Sequence, residues 1–245
     1  MSAIIYPNPH AADCPWHGLA AWFGAPNIKW CEQTVCAWIS EPANAWSNVG
    51  YFLAGAFIIH QARSCAKLAE KHLRALGHSV LFMGLMSFVY HASNAFPGQW
   101  LDFIGMFLMF GSIIERNFDC LNIGHASRRR LLVLSLVGVF SLIIPFLYSI
   151  RFQYQILVVV FALLAFALEF TVWRRVRSRS SRFLLVAAIL FLAAFLASVL
   201  DHGRWYCNPV SRWLHGHVFW HLLSACGFVA LAAHWRQSDL ESALQ

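Results

Sequence analysis

The chain has 245 residues, 59% of them hydrophobic and only 12% charged, where a soluble domain carries about 25% charged residues. Half of the usual polar surface is missing, which excludes an ordinary soluble domain. The net charge of +7 does not point to nucleic acid, because the basic residues are distributed along the chain in another pattern.

Residues 1–43 form an extracytoplasmic N-terminal segment. It has no basic stretch followed by an apolar core and a small-residue cleavage site, so it does not read as a signal peptide, and the first span directs insertion. Seven apolar runs follow, at about 44–62, 75–92, 99–115, 131–150, 153–173, 183–200 and 213–234. Each approaches the roughly 20 residues that an α-helix needs to cross a hydrocarbon slab about 30 Å thick. The connections are short, so residues 44–234 make one membrane domain and residues 235–245 a tail. The predicted fold is an all-α, seven-transmembrane helix bundle.

Alternation of the spans places Arg63, Lys67, Lys71, Arg74, Arg116, Arg128, Arg129, Arg130, Arg174, Arg175, Arg177, Arg179, Arg182 and Arg236 on one side. Only Lys29, Arg151, Arg204 and Arg212 fall on the other. Basic residues favour the cytoplasmic side, so the N-terminus is predicted outside and the C-terminus in the cytoplasm. Contact with anionic lipid headgroups is a secondary effect of the same charges. Cys14, Cys31, Cys36 and Cys207 then lie on the outer side, where disulfides persist. Four cysteines allow three complete pairings. Cys65 and Cys120 face the cytoplasm and Cys226 lies in the last span.

Polar residues inside spans are expensive and mark function. In the second span Ser87 and His91 are four apart, on one helical face. The connection to the third span is about six residues, so His91 leaves the membrane where Asp102 enters it. In the seventh span His217 and His221 repeat the i, i+4 spacing, which lets two imidazoles converge on one metal ion. Asp201 closes the sixth span on the same side. His91, Asp102, Asp201, His217 and His221 therefore all sit in the outer third of the bilayer. Three histidines leave one tetrahedral position open, as in a catalytic zinc site. Asp102 is placed to orient or deprotonate water, or to hold a histidine from behind. Ser87 is placed to donate to the substrate carbonyl or its oxyanion.

Other features read as structural. His202 and His215 are taken as interfacial bystanders, and Glu169 as a carboxylate snorkelling near Arg174. His10, Asp13, Cys14 and His17 lie in an irregular tail, solvated or disulfide-linked. Trp16, Trp22, Trp30, Trp38, Trp46, Trp100, Trp205 and Trp213 form an aromatic belt at the outer boundary.

Trp30-Cys31-Glu32, followed by Glu41, Asn44, Ser47 and Asn48, resembles the N-terminal signature of the alkaline ceramidases. Ser87 and His91 followed by Asp102, and His217 and His221 around Trp220, resemble that family's zinc-site motifs. The same motifs recur in a wider superfamily of seven-span hydrolases that includes the progestin and adipoQ receptors. The resemblance runs from about residue 29 to 225. It implies zinc held by His91, His217 and His221, with Asp102 as catalytic acid/base and Ser87 beside the metal. It also implies a Cys31–Cys207 disulfide, and hydrolysis of the ceramide amide to a sphingoid base and a fatty acid.

The family's N-terminal calcium site is degraded here: Lys29 replaces an aspartate, Thr34 replaces an asparagine, and the interval from Glu32 to Glu41 is short. Trp30, Glu32, Glu41 and Asn44 survive as remnants. Calcium wants six or more oxygens, and Lys29 repels it and can pair with Glu32 or Glu41, so the expectation is zinc without calcium. The partner expected is a ceramide-like membrane lipid, with no nucleic acid and no obligate protein. Two other readings compete: a zinc-containing lipid receptor or scaffold without turnover, and a hydrolase of another lipid ester or amide.

Overall fold

The computed structural model describes residues 10–65, 67–176, 181–205, 207–209 and 215–243. Arg177, Arg179, Arg212 and Trp213 lie outside the described residues. Among the described residues every regular element is a helix: α1 (His17–Phe23), α2 (Pro42–Ser47), α3 (Val49–Ala62), α4 (Lys67–Ser93), α5 (Phe96–Cys120), α6 (Ala126–Ser149), α7 (Gln155–Val176), α8 (Ser181–His202) and α9 (Gly216–Ala243). Helices satisfy their own backbone groups, which lipid cannot do. The last six are long and apolar enough to cross a membrane, so the protein is integral and multi-pass.

The expected first span differs from the rest. It is divided into α2 and α3, and α3 alone, at 14 residues, rises only about 21 Å. Pro42 opens α2, where its missing N–H is no loss. At the junction Asn48 turns its side-chain amide back onto the carbonyls of Asn44 and Ala45, 2.9 and 3.2 Å away. Several other helices outrun their apolar cores. α4 starts at Lys67, where a Glu70–Arg74 pair at 2.8 Å supports an extra turn, and α9 continues past residue 234 to Ala243. A hydropathy pattern stops at the first charges, whereas the hydrogen-bond ladder does not.

The helices pack in sequence order, α3 on α4, α4 on α5, α5 on α6 and α7, and α8 on α9, which returns to α3. α3 and α4 approach so closely at Gly55 and Gly77 that a Cβ on Gly55 would stand 2.8 Å from the Gly77 carbonyl oxygen. One end of the bundle carries a buried polar clamp. Arg116 of α5 meets Glu169 of α7 at 3.2 Å, and Trp235 of α9 donates to the same carboxylate at 3.0 Å. Glu169 is thus buried against Arg116 rather than snorkelling beside Arg174, whose guanidinium lies over Phe170. The other end gathers the starts of α3, α5, α7 and α9 and the finishes of α4, α6 and α8. Across it run the N-terminal segment and two disulfides, Cys14–Cys36 and Cys31–Cys207.

Candidate metal centre and its cavity

His91 stands on the last turn of α4, and His217 and His221 on the first two turns of α9. All three are buried, and their ring nitrogens lie within 4.8 Å of one another. The close approach of α8 and α9 sets the start of α9. A Cβ on Gly216 would stand 2.3 Å from the Ala197 carbonyl oxygen, so only glycine fits. Asp201, at the end of α8, accepts the His217 backbone N–H at 3.1 Å with one oxygen and the Cys31 N–H at 2.8 Å with the other.

The hydrogen bonds around the cluster fix which nitrogens face inward. His91 Nδ1 meets Glu41 Oε2 at 2.6 Å, and a carboxylate can only accept, so this nitrogen carries the proton. Ser47 donates its hydroxyl proton to the Asn44 carbonyl at 2.8 Å. It therefore accepts from His221 Nδ1, 2.6 Å away. Both rings are left with a bare Nε2 turned to the cluster, where His91 Nε2 and His217 Nε2 stand 3.1 Å apart. His217 Nδ1 is buried without a partner, and its ring stacks under Trp30 at 3.6 Å. Converging imidazole lone pairs, held from behind by a carboxylate and a hydroxyl, suit a divalent first-row metal ion such as zinc.

Asp102, in the second turn of α5, faces the Ser87 hydroxyl of α4. Both line a cavity of about 170 Å³, together with His217 and His221. The rest of its wall is chiefly apolar, built by Met106, Met109, Phe110, Phe191, Phe195 and Phe228. His91 sits behind this wall. The arrangement offers a polar reaction corner at one end of a slot that fits hydrocarbon.

The four calcium-site remnants are engaged elsewhere. Glu32 accepts the N–H groups of Ala43 and Asn44, at 2.7 and 2.8 Å, and so caps α2. Glu41 binds His91 and also accepts from Asn94 at 2.6 Å. Asn44 donates to Glu41, and Trp30 covers His217. Burial pushes the Glu32 carboxyl up to about 7. Neither Glu32 nor Glu41 is paired with Lys29. The tail residues hold no open thiol ligand, since Cys14 is bonded to Cys36. His215 is fully buried before α9, so it is no surface bystander, whereas His202 is exposed, with its ring edge-on to Trp30.

Sequence reasoning missed three contributors. Ser47 stands out in the sequence only as part of a motif, and its pairing with His221 spans 174 positions. The resemblance assigns Glu41 to calcium rather than to His91. Asp201 reads from the sequence as closing a span, without its two amide partners. A buried acid at a span end was the available signal for it.

Residues 25–243 match the sequence model of the family described as Ceramidase. The chain is 21% identical to human (Homo sapiens) alkaline ceramidase 1 over 214 residues, covering 84% of this chain and 80% of that protein. It is 26% identical to mouse (Mus musculus) alkaline ceramidase 1 over 222 residues, covering 84% and 77%.

Proposed function

Because the chain belongs to the ceramidase family, we propose that it is a zinc-dependent membrane amidohydrolase. It cleaves the amide of ceramide or a ceramide-like N-acyl lipid to a sphingoid base and a fatty acid. The observation that carries this reading is the meeting of His91, His217 and His221 with Asp102 and Ser87 at the polar corner of an apolar cavity.

His91, His217 and His221 hold the metal, with Glu41 and Ser47 fixing the proton on the outer nitrogens of His91 and His221. When bound there, zinc supplies Lewis-acid polarisation and acidifies water. Asp102 takes a proton from the attacking water and returns it to the amine nitrogen as the C–N bond breaks. Ser87 donates to the carbonyl oxygen as negative charge grows on it. The cavity holds the hydrocarbon chain, and its aromatic wall excludes competing water. The membrane arrangement that goes with this reading has seven spans, α2 and α3 together forming the first. The excess of basic residues on the opposite side sets the reaction corner near the extracytoplasmic face.

Metal analysis and turnover of the purified protein test the reading. One zinc per chain and release of fatty acid from N-acyl sphingosine are expected, with both lost in His217→Ala. Absence of zinc, or full amidase activity in His217→Ala, would overturn it.

A further inference from the structure

Gln155, at the start of α7, stands between two cavities. It lines the apolar one that contains Ser87, Asp102, His217 and His221. It also lines a neighbouring polar vestibule of about 470 Å³, walled by Asn27, Ser149, Arg151, Gln153 and His202. Its amide is anchored on one side, where Nε2 donates to Asn27 Oδ1 at 2.9 Å. Asn27 is fixed in turn, its backbone N–H donating to Gln99 Oε1 at 3.1 Å. Gln99 is fully buried, receives the Tyr154 hydroxyl and donates to the Tyr90 hydroxyl at 3.4 Å. This network holds the Gln155 side chain in one orientation. Its Oε1 is buried and has no hydrogen-bond partner among the described residues.

Buried acceptors in native proteins are paired with few exceptions. An unpaired one in a cavity wall is completed by whatever enters the cavity. Only a donor can do so, which rules out ester, ether and carbonyl oxygens. The amide N–H of an N-acyl lipid stays with its scissile carbonyl, at the corner formed by Asp102 and the histidines. Gln155 instead marks the line where apolar wall gives way to polar vestibule, and the groups that reach that line are the hydroxyls of the lipid head.

We propose that Gln155 Oε1 accepts a hydrogen bond from a free head hydroxyl, with the head lodged in the vestibule. The preferred substrate is then an N-acyl amino alcohol whose head hydroxyls are unblocked. The inference rests on the amidohydrolase reading for its substrate, but its test does not depend on turnover. Competitive binding and kcat/KM are measured for N-acyl sphingosine and for the same lipid with its head hydroxyls O-methylated. Wild type, Q155L and Q155E are compared.

The wild type is expected to favour the free hydroxyls by about tenfold, the worth of one hydrogen bond to a buried acceptor. Q155L brings the two lipids close to parity, while Q155E, which keeps an acceptor, retains the preference. Equal discrimination by Q155L and the wild type overturns the proposal. Discrimination in binding that Q155L loses, without turnover of either lipid by any variant, supports the hydroxyl contact and removes the hydrolase reading instead.

Discussion

His91 donates from Nδ1 to Glu41 Oε2 at 2.6 Å, with both side chains fully buried. The pairing gives the N-terminal segment a direct hold on the metal centre. A carboxylate behind a ligating imidazole fixes its tautomer and raises its basicity, and removing such a partner lowers metal affinity or activity about 10–100-fold. Glu41→Gln, which retains a hydrogen-bonding oxygen but no charge, is expected to weaken zinc binding within that range. Ser47→Ala, which removes a neutral acceptor from His221, is expected to weaken it less. Chelator competition on the purified variants measures both. Equal zinc affinity in Glu41→Gln and the wild type would deny Glu41 this role.

Much of the site was legible because it follows helical periodicity. Ser87 with His91, and His217 with His221, lie one turn apart on helices whose apolar runs fix their ends. The short connection between α4 and α5 brings Asp102 back to the end of α4, where it faces Ser87. The contacts that hold the cluster from behind were less accessible, because Glu41–His91 and Ser47–His221 join positions 50 and 174 apart. Local pattern carries no information about such pairs. Glu32 illustrates the same limit, since its role as a remote cap for α2 depends on how a loop folds back. The division of the first span was also hidden, since Asn48 acts within an otherwise continuous apolar run.

Two glycines separate packing from helix propensity. On Gly216 a new Cβ would stand 2.3 Å from the Ala197 carbonyl oxygen and 2.9 Å from Asp201 Cβ, whereas on Gly138 it would meet nothing within 4 Å. Gly216→Ala must therefore push α9 from α8 and carry His217 out of register. A fall in melting temperature together with loss of bound zinc is expected. Gly138→Ala is expected to be neutral or stabilising by up to about 1 kcal/mol, as helix propensity favours alanine. Thermal unfolding and metal content in the same detergent compare them. Wild-type zinc content in Gly216→Ala would refute the register argument.

Arg116 and Glu169 form the clamp at the far end of the bundle, both buried and 3.2 Å apart. Breaking a buried pair by removing one partner costs about 3–5 kcal/mol, whereas replacing both with apolar residues of similar size is often neutral. Glu169→Leu should be strongly destabilising, because it takes the buried counter-charge from Arg116 and the acceptor from the Trp235 N–H. Adding Arg116→Met should recover most of the loss, though not the part owed to Trp235. A double-mutant cycle on unfolding midpoints gives the coupling. Additive effects of the two substitutions would mean that the pair contributes nothing as a unit.

Glu32 gives the N-terminal segment a pH response. Its carboxyl is raised to about 7, first by burial, while its unfolded value is that of an ordinary glutamate, about 4.3. An acid raised in the folded state binds its proton more tightly there than in the unfolded chain. The contribution is complete below the unfolded value and is lost as pH rises through the folded one. The wild type should therefore lose stability between about pH 4.5 and 7 from this group. Glu32→Gln, which does not titrate and keeps one oxygen for one of the Ala43 and Asn44 amides, should flatten that part of the profile. Melting temperatures of the two proteins across this range, at constant ionic strength, provide the comparison. The same slope in both would show that Glu32 does not titrate there, and would return its two backbone hydrogen bonds to a purely ionised carboxylate.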